Sequence, residues 1–559
     1  MPFNKNKISV KVPKRSGFDK SHRNSGTLEC GTITPLLCDE VIPNSRVSLK
    51  INLASQLPPL ASDTYMNLAL RTEAFFVPLR LLTAGFEDFF CDFPKTFRVN
   101  ASNLQQIRYD DVRMAIPHFQ FTNYPTVFGP GSLGDFLGIR LTDTAGTAPS
   151  KPITFSALPF IAYHLIWQEW YRNPRVQKPA FVRPIGGPTR GASRRISSDL
   201  PYYPFSFGYQ DGDSATLADN IIPVDTDVTP GAAFVKELAD GHNIFNLRQR
   251  NFGLDYFTGA RVSPQQGAAV GISMPSNEST VTIAAIRAAN SLQQFRERNN
   301  LPSPRLVDQV QARYGANLSD GVAQRPICIG SAVYNVSTRG IDQTAPSAPS
   351  TSGNNPFNSV GSQYGRAYAS GSDFIIDDFT ANEPGYIFVN ITLTPDVTYS
   401  TGVLPMFRRY AVDGSITDMA CSLLQNVGDQ PIRQSELTGA VNFPWDDVFG
   451  YNDRYADFMF LPNVAHGRFR DGQDLDSFVL QRSFAGQPTM SSSFLEIPKN
   501  YLDQVFAVSA GVSGVACWYD SLLDYRVSMP LAEFSIPSLQ DPAYEHGDTV
   551  VLRRNGQVF

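Results

Sequence analysis

Polar and apolar residues alternate near the start of the chain with the two-residue period of half-buried strands, over residues 46–53 and 68–76. Pro78 ends the second pattern. Similar short runs return between turn clusters in the last third of the chain, at 387–393, 455–460, 478–484, 501–509 and 515–527. Short strands at this spacing predict an antiparallel β-sandwich and argue against alternating β-α-β units.

Three other segments follow the period of a helix. Residues 160–171 form an apolar and aromatic run after Pro159, a residue that fits the first turn of a helix. Apolar residues within 281–295 step by four and three positions and so form one stripe. Residues 305–314 end at Gly315, which is a typical residue just beyond a helix C-terminus.

The stretch between the early and late strands is predicted to be an insertion into the sandwich. Residues 79–90 predict a short aromatic helix, and the low-complexity segments 142–150 and 344–372 predict loops, the longer one exposed. Because the early strands are separated from the late ones by so much helix and loop, one sandwich with large insertions explains the pattern better than two tandem domains.

The composition of the 559 residues is that of a globular chain: 42% are hydrophobic and 18% charged, which excludes disorder as the main state. The six cysteines lie far apart without a CxxC pair, so we expect reduced thiols and folding in a cytoplasmic compartment. No run reaches the roughly 18 apolar residues of a membrane helix, and the N-terminal segment lacks the apolar core of a secretory signal.

Positive charge is concentrated at the N-terminus. The net charge is −5, but residues 1–24 contain seven basic residues against Asp19, a charge of +6, so the rest of the chain carries −11. The basic residues are Lys5, Lys7, Lys11, Lys14, Arg15, Lys20 and Arg23. Since this arm lacks a core pattern, we favour contact with a nucleic-acid backbone over a merely solvated surface.

A second basic segment, 171–198, contains seven basic residues and no acidic one. These are Arg172, Arg175, Lys178, Arg183, Arg190, Arg194 and Arg195. Arginine serves nucleic-acid binding and protein interfaces equally well, so both interpretations stay open here. Arg248, Arg250, Arg553 and Arg554 form smaller clusters.

The candidates for catalysis have simpler interpretations. Residues 129–134 match GxGxxG, but without a β-α-β context they predict a turn and a short helix. The six histidines show no metal-ligand spacing, and His164 inside an aromatic helix predicts a packed or interface histidine. Asp446 and Asp447 predict a solvated turn. We therefore expect no catalytic residue, metal or cofactor.

A series of short motifs follows the chain in order. The first half contains RSGFDKSH (15–22), FFVPLRLL (75–82), FEDF (86–89), GSLGDFLG (131–138), LPFIAY (158–163) and EWYR (169–172). The second half contains DYFT (255–258), FGYNDRYAD (449–457), GRFR (467–470) and the segment 530–539. The ordered set resembles the major capsid protein of microviruses, small single-stranded DNA phages, and most closely their gokushovirus-like branch.

This resemblance implies a mainly β fold: a single antiparallel eight-stranded jelly-roll sandwich with large loop and helix insertions. The implied division is a basic N-terminal arm (1–28), the jelly-roll capsid domain (29–540) with insertions notably at 79–380, and a C-terminal tail (541–559). The implied function is self-assembly, in the bacterial cytoplasm, of a T=1 icosahedral shell around circular single-stranded DNA, with no enzymatic activity.

The implied partners are identical capsid subunits, the single-stranded DNA genome, a small basic DNA-binding protein, an internal scaffolding protein, a pilot protein and a host surface receptor. Membrane insertion is not expected. The sequence departs from the family in two places: the insertion after DYFT is short between Met274 and Val281, while 173–246 is longer than in typical relatives. A threefold protrusion is therefore either absent or built from the longer segment.

Two other functions are compatible with a β-sandwich. A phage spike or lectin-like protein for host carbohydrate recognition would need an aromatic platform on exposed loops. A hydrolase would need an acid pair that is essential for activity, and the motifs give this function the least support.

Overall fold

Two antiparallel β-sheets that share one hydrophobic core form the centre of the molecule. The computed structural model describes residues 15–82, 86, 90, 97–99, 107–109, 118–121, 128–141, 153–181, 221–224, 238, 240–264, 283–300, 303–342, 363–408, 428–439, 444–482, 484, 486–507 and 515–531. Within these ranges the chain is mainly β, as the sequence predicts.

The strands of the sandwich come from both ends of the chain. The larger sheet contains β1 (Ser16–Asp19), β2 (His22–Leu28), β4 (Ser45–Gln56), β12 (Ser337–Asp342), β13 (Gln363–Ala381) and β17 (Cys517–Met529). The smaller sheet contains β3 (Thr34–Val41), β5 (Leu68–Pro78), β11 (Ile327–Asn335) and β14 (Gly385–Pro395). The larger sheet has the order β1-β17-β4-β13-β12, with β2 also on β17, and the smaller has the order β11-β5-β14-β3.

Seven further strands form small sheets outside the sandwich in the described part of the chain. They are β6 (Phe97–Val99), β7 (Ile107–Tyr109), β8 (His118–Phe121), β9 (Ile153–Ser156), β10 (Ile221–Val224), β15 (Asp429–Arg433) and β16 (Val448–Asp453). β8 pairs antiparallel with β9 and parallel with β10, whereas β6–β7 and β15–β16 are antiparallel pairs.

The helices are short apart from one. They are α1 (Leu133–Phe136), α2 (Leu158–Ile166), α3 (Ile283–Asn300), α4 (Leu306–Tyr314), α5 (Asp320–Ala323), α6 (Gln434–Leu437), α7 (Ala456–Met459) and α8 (Ser492–Leu495). Trp167–Tyr171 continues α2 as a π-helical turn. Single 3₁₀ turns occur at Leu79–Leu81, Pro405–Arg408, Gly467–Phe469 and Asp476–Phe478.

Alternating burial confirms the strand predictions for β4 and β17. In β4, Val47, Leu49 and Ile51 are buried in the core between the sheets, while the residues between them are partly exposed. Strand β17 alternates in the same way over its whole length. Both strands therefore have one face on the core and one face outward.

Strand β14 is buried on both faces. Ile387 and Val389 belong to the core between the sheets, whereas Tyr386 and Phe388 belong to a second core on the outer face of the smaller sheet. This second core is built by the insertion between β5 and β11, with α2 at its centre. The insertion thus converts the smaller sheet into an internal layer.

The second core is rich in phenylalanine. Phe119, Phe160 and Phe245 contact one another edge to face, with ring centroids 5.0–5.6 Å apart, and Phe128 lies 5.6 Å from Phe245. Edge-to-face contacts add favourable quadrupole attraction to the burial of apolar area. Eight of the 39 Phe residues are buried in this second core and therefore stabilise the subunit itself.

The predicted helices are confirmed. Residues 160–171 lie in α2 and the π-helical turn, and 281–295 overlap α3. α4 ends at Gly315, whose φ of 68° is the left-handed conformation that favours glycine. The GxGxxG match is a turn and the short helix α1, capped by the Ser132 hydroxyl, which accepts from the backbone N–H of Asp135. Of 79–90, the structure describes the Leu79–Leu81 turn and helical positions at Phe86 and Phe90.

Three predicted late strands are wrong. Residues 455–460 contain α7, preceded by Tyr455 with φ of 67°. Residues 478–484 begin at the last residue of a 3₁₀ turn and form isolated bridges at Val479 and Arg482. Residues 501–505 are turns. These segments lie in the long connection between β14 and β17. Their apolar residues, such as Leu480 and Leu502, fill the core from loops, a role that has no sequence period.

The predicted exposed loop 344–372 is wrong over 363–372, which belong to β13. Small residues occur there because neighbouring chain passes close by: Ala367 and Ala369 are buried, and a Cβ on Gly371 would lie 2.3 Å from the Tyr334 ring. Packing explains the low complexity of this part. The segments 343–362 and 142–150 lie outside the described residues, as does most of 173–246.

Candidate assembly and nucleic-acid surfaces

Three residues of the predicted basic arm are described, and each has a partner within the subunit. The ammonium group of Lys20 lies 2.7 Å from Asp39 of β3. Arg23 on β2 binds Asp520 of the neighbouring β17, and hydrogen bonds from Arg23 and Ser25 lower the pKa of Asp520 to about 2. The arm therefore enters the larger sheet at β1.

Arg15, just before β1, donates to the side-chain oxygen of Asn44. The other four residues of the predicted arm, Lys5, Lys7, Lys11 and Lys14, lie outside the described residues. The structure thus places Arg15, Lys20 and Arg23 along the edge of the larger sheet that β1 and β2 form on β17, and the four lysines precede this edge in the chain.

The second basic segment begins where the π-helical turn ends. Arg172 donates from Nη1 to the carbonyl oxygen of Gln177 at 2.9 Å, and burial lowers its pKa. The backbone N–H of Arg175 donates to the side-chain oxygen of Asn173 at 3.0 Å, whereas Lys178 is exposed. Arg183, Arg190, Arg194 and Arg195 lie outside the described residues.

Arg248, which belongs to one of the smaller basic clusters, is buried in the subunit. Its guanidinium pairs with Asp240, donates from Nε to Nδ1 of His164 at 2.9 Å, and lies 4.1 Å above the Trp167 ring. His164 in turn contacts the carbonyl oxygen of Ile244 through Nε2 at 2.8 Å. Burial and the neighbouring Arg248 hold the pKa of His164 well below its ordinary value, so the predicted packed histidine is confirmed as a neutral one.

Arg250 joins the insertion to the smaller sheet. Its two terminal nitrogens lie 2.8 and 2.9 Å from the carboxylate oxygens of Glu73 on β5, a bidentate pair. Tyr171 donates its hydroxyl to the same carboxylate and stacks under the guanidinium at 5.1 Å. Both arginines therefore stabilise the subunit through internal ion pairs, Arg248 in a buried position and Arg250 in a half-buried one.

Two exposed apolar surfaces were missed by the sequence interpretation. The first is the helical hairpin of α3 and α4, where Ile283, Phe295 and Leu306 are exposed. The second surrounds a cavity near residues 404–407 and 460–464. The apolar stripe of α3 was a visible signal, but such a stripe usually predicts packing in the subunit's own core.

The residue pairs considered for catalysis have ordinary structural roles. Asp446 is exposed in a turn, as the sequence predicts, and the structure adds that it pairs with Arg408. Within the described ranges, no group of three or more His, Cys, Asp or Glu side chains is arranged to hold a metal ion. The four cysteines in those ranges, Cys30, Cys38, Cys328 and Cys517, are free thiols.

None of the helices described has both the length and the apolarity needed to cross a membrane.

Extensive exposed apolar surface on a folded β-sandwich is typical of a protein that binds other subunits. The family model described as Capsid protein (F protein) matches residues 7–539. The chain is 26% identical to capsid protein VP1 of Chlamydia phage 1, over 94% of this chain and 96% of that protein. It is 24% identical to capsid protein VP1 of Bdellovibrio phage phiMH2K, over 86% of this chain and 88% of that protein.

A third relative, capsid protein VP1 of Spiroplasma virus 4, is 21% identical over 94% of this chain and 95% of that protein. The chain belongs to the phage capsid protein family, which confirms the resemblance to microvirus capsid proteins. It is a component of the phage virion, and membership of this family implies a structural role in a self-assembling shell.

Proposed function

We propose that copies of this chain assemble into a T=1 icosahedral shell that encloses a circular single-stranded DNA genome. The observation that carries the proposal is the family match over residues 7–539. The alignment to a relative named as a capsid protein also covers 96% of that relative. The division into arm (1–28), capsid domain (29–540) and tail (541–559) belongs to the same proposal.

The order of strands supports a jelly roll for this shell domain. Eight strands taken in chain order are β2, β3, β4, β5, β11, β13, β14 and β17. Numbered one to eight in that order, the neighbouring strands across the larger sheet are the first, eighth, third and sixth. Across the smaller sheet they are the fifth, fourth, seventh and second. This strand order supports the proposal of a jelly roll, an architecture of two Greek keys that is common in viral capsids. The two long insertions follow its fourth and seventh strands.

The basic arm supports a role at the genome. Four lysines lie within the 14 residues before the described part of the chain, without an acidic residue among them. Each lysine near a phosphate releases condensed counterions and so favours binding regardless of DNA sequence. Since Lys20 and Arg23 already have acidic partners, the free charge of the arm resides mainly in Lys5, Lys7, Lys11 and Lys14. For Arg172, Arg175, Lys178, Arg183, Arg190, Arg194 and Arg195 the proposal is an interface or DNA contact.

The further partners proposed are those of a small DNA phage. They are a small basic DNA-binding protein, an internal scaffolding protein, a pilot protein and a host surface receptor, with assembly in the bacterial host cytoplasm.

The test of the shell is electron microscopy of the protein expressed with its phage partners, combined with nuclease treatment. We expect uniform icosahedral particles that protect single-stranded DNA. Soluble oligomers that bind a glycan and form no particles would support the spike or lectin alternative instead.

The test of the arm replaces Lys5, Lys7, Lys11 and Lys14 with glutamine. The expected result is less protected DNA per particle, because the positive charge near the phosphates is lost. Replacement of the same four lysines with arginine is the matched control, since it retains the charge. Equal DNA content in both sets of particles would contradict the role of the arm.

A further inference from the structure

The larger sheet has one face on the core and one face that points away from it, called here the outward face. In β13, Ala367 and Ala369 are buried in the core, so Arg366 and Tyr368, which alternate with them, lie on the outward face and are exposed. In β17, Trp518 alternates with buried residues in the same way. The outward face therefore presents basic and aromatic side chains to solvent.

Two arginines on the outward face lie directly opposite each other. Arg339 of β12 pairs in register with Arg366 of β13, and both side chains are exposed. Residues in this position share a face with their Cβ atoms about 5 Å apart, and like charges there are destabilising. In the described part of the chain, neither guanidinium forms an ion pair with a carboxylate. An anion bound between the two arginines would relieve their repulsion.

The carboxylates of this region do not neutralise the arginine pair by contact. Asp342 lies on the opposite face of β12, because it is an odd number of positions from the arginine of that strand. A Cβ on Gly340 would lie 3.0 Å from Oδ2 of Asp63, so Asp63 is also on that side. Asp520 lies on the outward face of β17, but it is already paired with Arg23. The arginine pair is therefore a local concentration of positive charge.

Aromatic rings lie beside the arginine pair. Tyr364 and Tyr368 flank Arg366 at two positions to either side and so share its face. Tyr368 lies opposite Gln56 of β4, which in turn lies opposite Trp518 of β17. Two strand spacings place Tyr368 and Trp518 about 10 Å apart. They are 49% and 40% exposed. The exposed residues around these two rings are small: Thr27, Ala54, Ser337 and Ser370.

Single-stranded DNA combines the two chemistries that this face offers. Its phosphates are anions that the planar guanidinium binds through paired hydrogen bonds, and its unpaired bases stack on exposed aromatic rings. The centre of a protein interface is typically apolar and closely packed, whereas here polar and small residues separate the rings. The basic arm also enters this same sheet at β1. The composition of the outward face thus favours nucleic acid over a protein neighbour.

We propose that the outward face of the larger sheet binds the packaged single-stranded DNA. Arg339 and Arg366 contact phosphates, while Tyr368 and Trp518 stack on bases. This inference rests on the proposed shell, which supplies the DNA, and it implies that the larger sheet faces the interior of the shell. Because every base has a stacking face, the contact does not depend on DNA sequence.

The charge contribution is tested by the salt dependence of binding. A fluorescent oligothymidylate is titrated with the full-length subunit at several salt concentrations. Replacement of both Arg339 and Arg366 with glutamine should reduce the slope of log K against log salt by about 1.4, the effect of two phosphate contacts on a single strand. Replacement of both with lysine keeps the charge and should keep the slope. Arg468→Gln, an exposed arginine outside the sheet, is the control.

The stacking contribution is tested separately at Trp518. Trp518→Ala should weaken binding about 5- to 150-fold at every salt concentration and leave the slope unchanged, because it removes a stacking contact and no charge. Trp518→Phe keeps a ring and should retain most of the affinity. Since the substituted side chains are exposed, circular dichroism and thermal melting should show folded variants.

Ultraviolet crosslinking of particles of the unchanged chain tests the contact without any substitution. We expect DNA crosslinks in the peptides that contain Tyr368 and Trp518. Crosslinks confined to the N-terminal arm would overturn the proposal and leave the arm's role standing.

Unchanged affinity and slope in the glutamine and alanine variants would also overturn the proposal. Folded variants that bind DNA normally but form no particles would show that the outward face contacts a neighbouring protein instead. Absence of particles from the unchanged chain would contradict the proposed shell itself.

Discussion

Arg248 donates its Nε–H to Nδ1 of His164 over 2.9 Å, in a site where both side chains are buried. Since an arginine can only donate, Nδ1 must be the acceptor, and the ring proton is on Nε2, where it is donated to the carbonyl oxygen of Ile244. Asp240 balances the charge of the buried guanidinium. The insertion is thus held together by an ion pair and a neutral histidine.

Removal of the counter-charge is expected to destabilise this insertion strongly. Asp240→Asn leaves Arg248 buried without a carboxylate, and breaking a buried pair typically costs about 3–5 kcal/mol in the free energy of unfolding. The measurement is denaturant unfolding of the free subunit. Asp378→Asn, which removes the partner of Arg46 at the surface, is the control and should leave the unfolding midpoint unchanged. Similar midpoints for the two variants would contradict the structural role of Asp240.

Glu436 is expected to make the subunit less stable as the pH rises. Burial raises its pKa from an ordinary 4.5 to about 7, although the backbone N–H of Arg433 and the hydroxyl of Tyr256 donate to it. Between these two values the unfolded chain releases a proton that the folded chain retains, so stability falls with rising pH across this window.

Glu436→Gln should remove that pH dependence. At pH 8 the free energy of unfolding of the variant should exceed that of the unchanged chain by about 2–3 kcal/mol, and at pH 4 the two should differ little. The comparison must be made between the two proteins at each pH, because the lowered pKa of His242, about 4, acts in the opposite direction below pH 6.5. An equal gain at pH 4 and pH 8 would show that ionisation is not the cause.

Gly330 is expected to be essential for the packing of β11 on β13. A Cβ at this position would lie 1.7 Å from the carbonyl oxygen of Ile375, where the β11–β5 pairing also shifts register. Gly330→Ala should lower the free energy of unfolding by about 1–3 kcal/mol, because the backbone of β13 must move. Gly17→Ala, a strand glycine with no atom within 4 Å of the added Cβ, is the control. The two variants are compared by thermal melting, and equal melting temperatures would contradict the close approach.

The boundary between arm and sheet can be located by truncation. Deletion of residues 2–14 should leave the melting temperature of the subunit unchanged, because β1 and β2 remain paired with β17. Deletion of residues 2–28 should destabilise it severely, since Leu28 leaves the core and Asp39 loses Lys20. A stable, cooperatively folded product of the longer deletion would contradict the contribution of these two strands.

The sequence pattern correctly predicted the strands in which buried and exposed residues alternate regularly. Strands β4 and β17 have a core on one face only, so Val47 and Tyr519 lie in regular alternation with exposed residues. Gly315 predicted the end of α4 because the left-handed conformation of the helix stop is a local requirement. The order of the motifs likewise predicted the capsid family, because each motif is a short local segment.

The same reasoning failed where distant segments meet. The alternation at 455–460 predicted a strand, but these residues form α7 in a loop beside the core. Ser- and Gly-rich residues near Gly371 predicted a loop, but they are small because the Tyr334 ring packs over them in β13. Neither outcome is encoded in the neighbouring residues alone.

The sequence by itself determined the β class, the principal helices, the basic arm as a concentration of charge, and the family, because period, caps and motif order are local properties. Tertiary structure decided which charges are internal: Arg248 and Arg250 are buried or half-buried with Asp240 and Glu73, residues 8 and 177 positions away. It also decided that the α3 stripe is exposed. Burial depends on which remote segments pack together, and periodicity records only that one face is apolar.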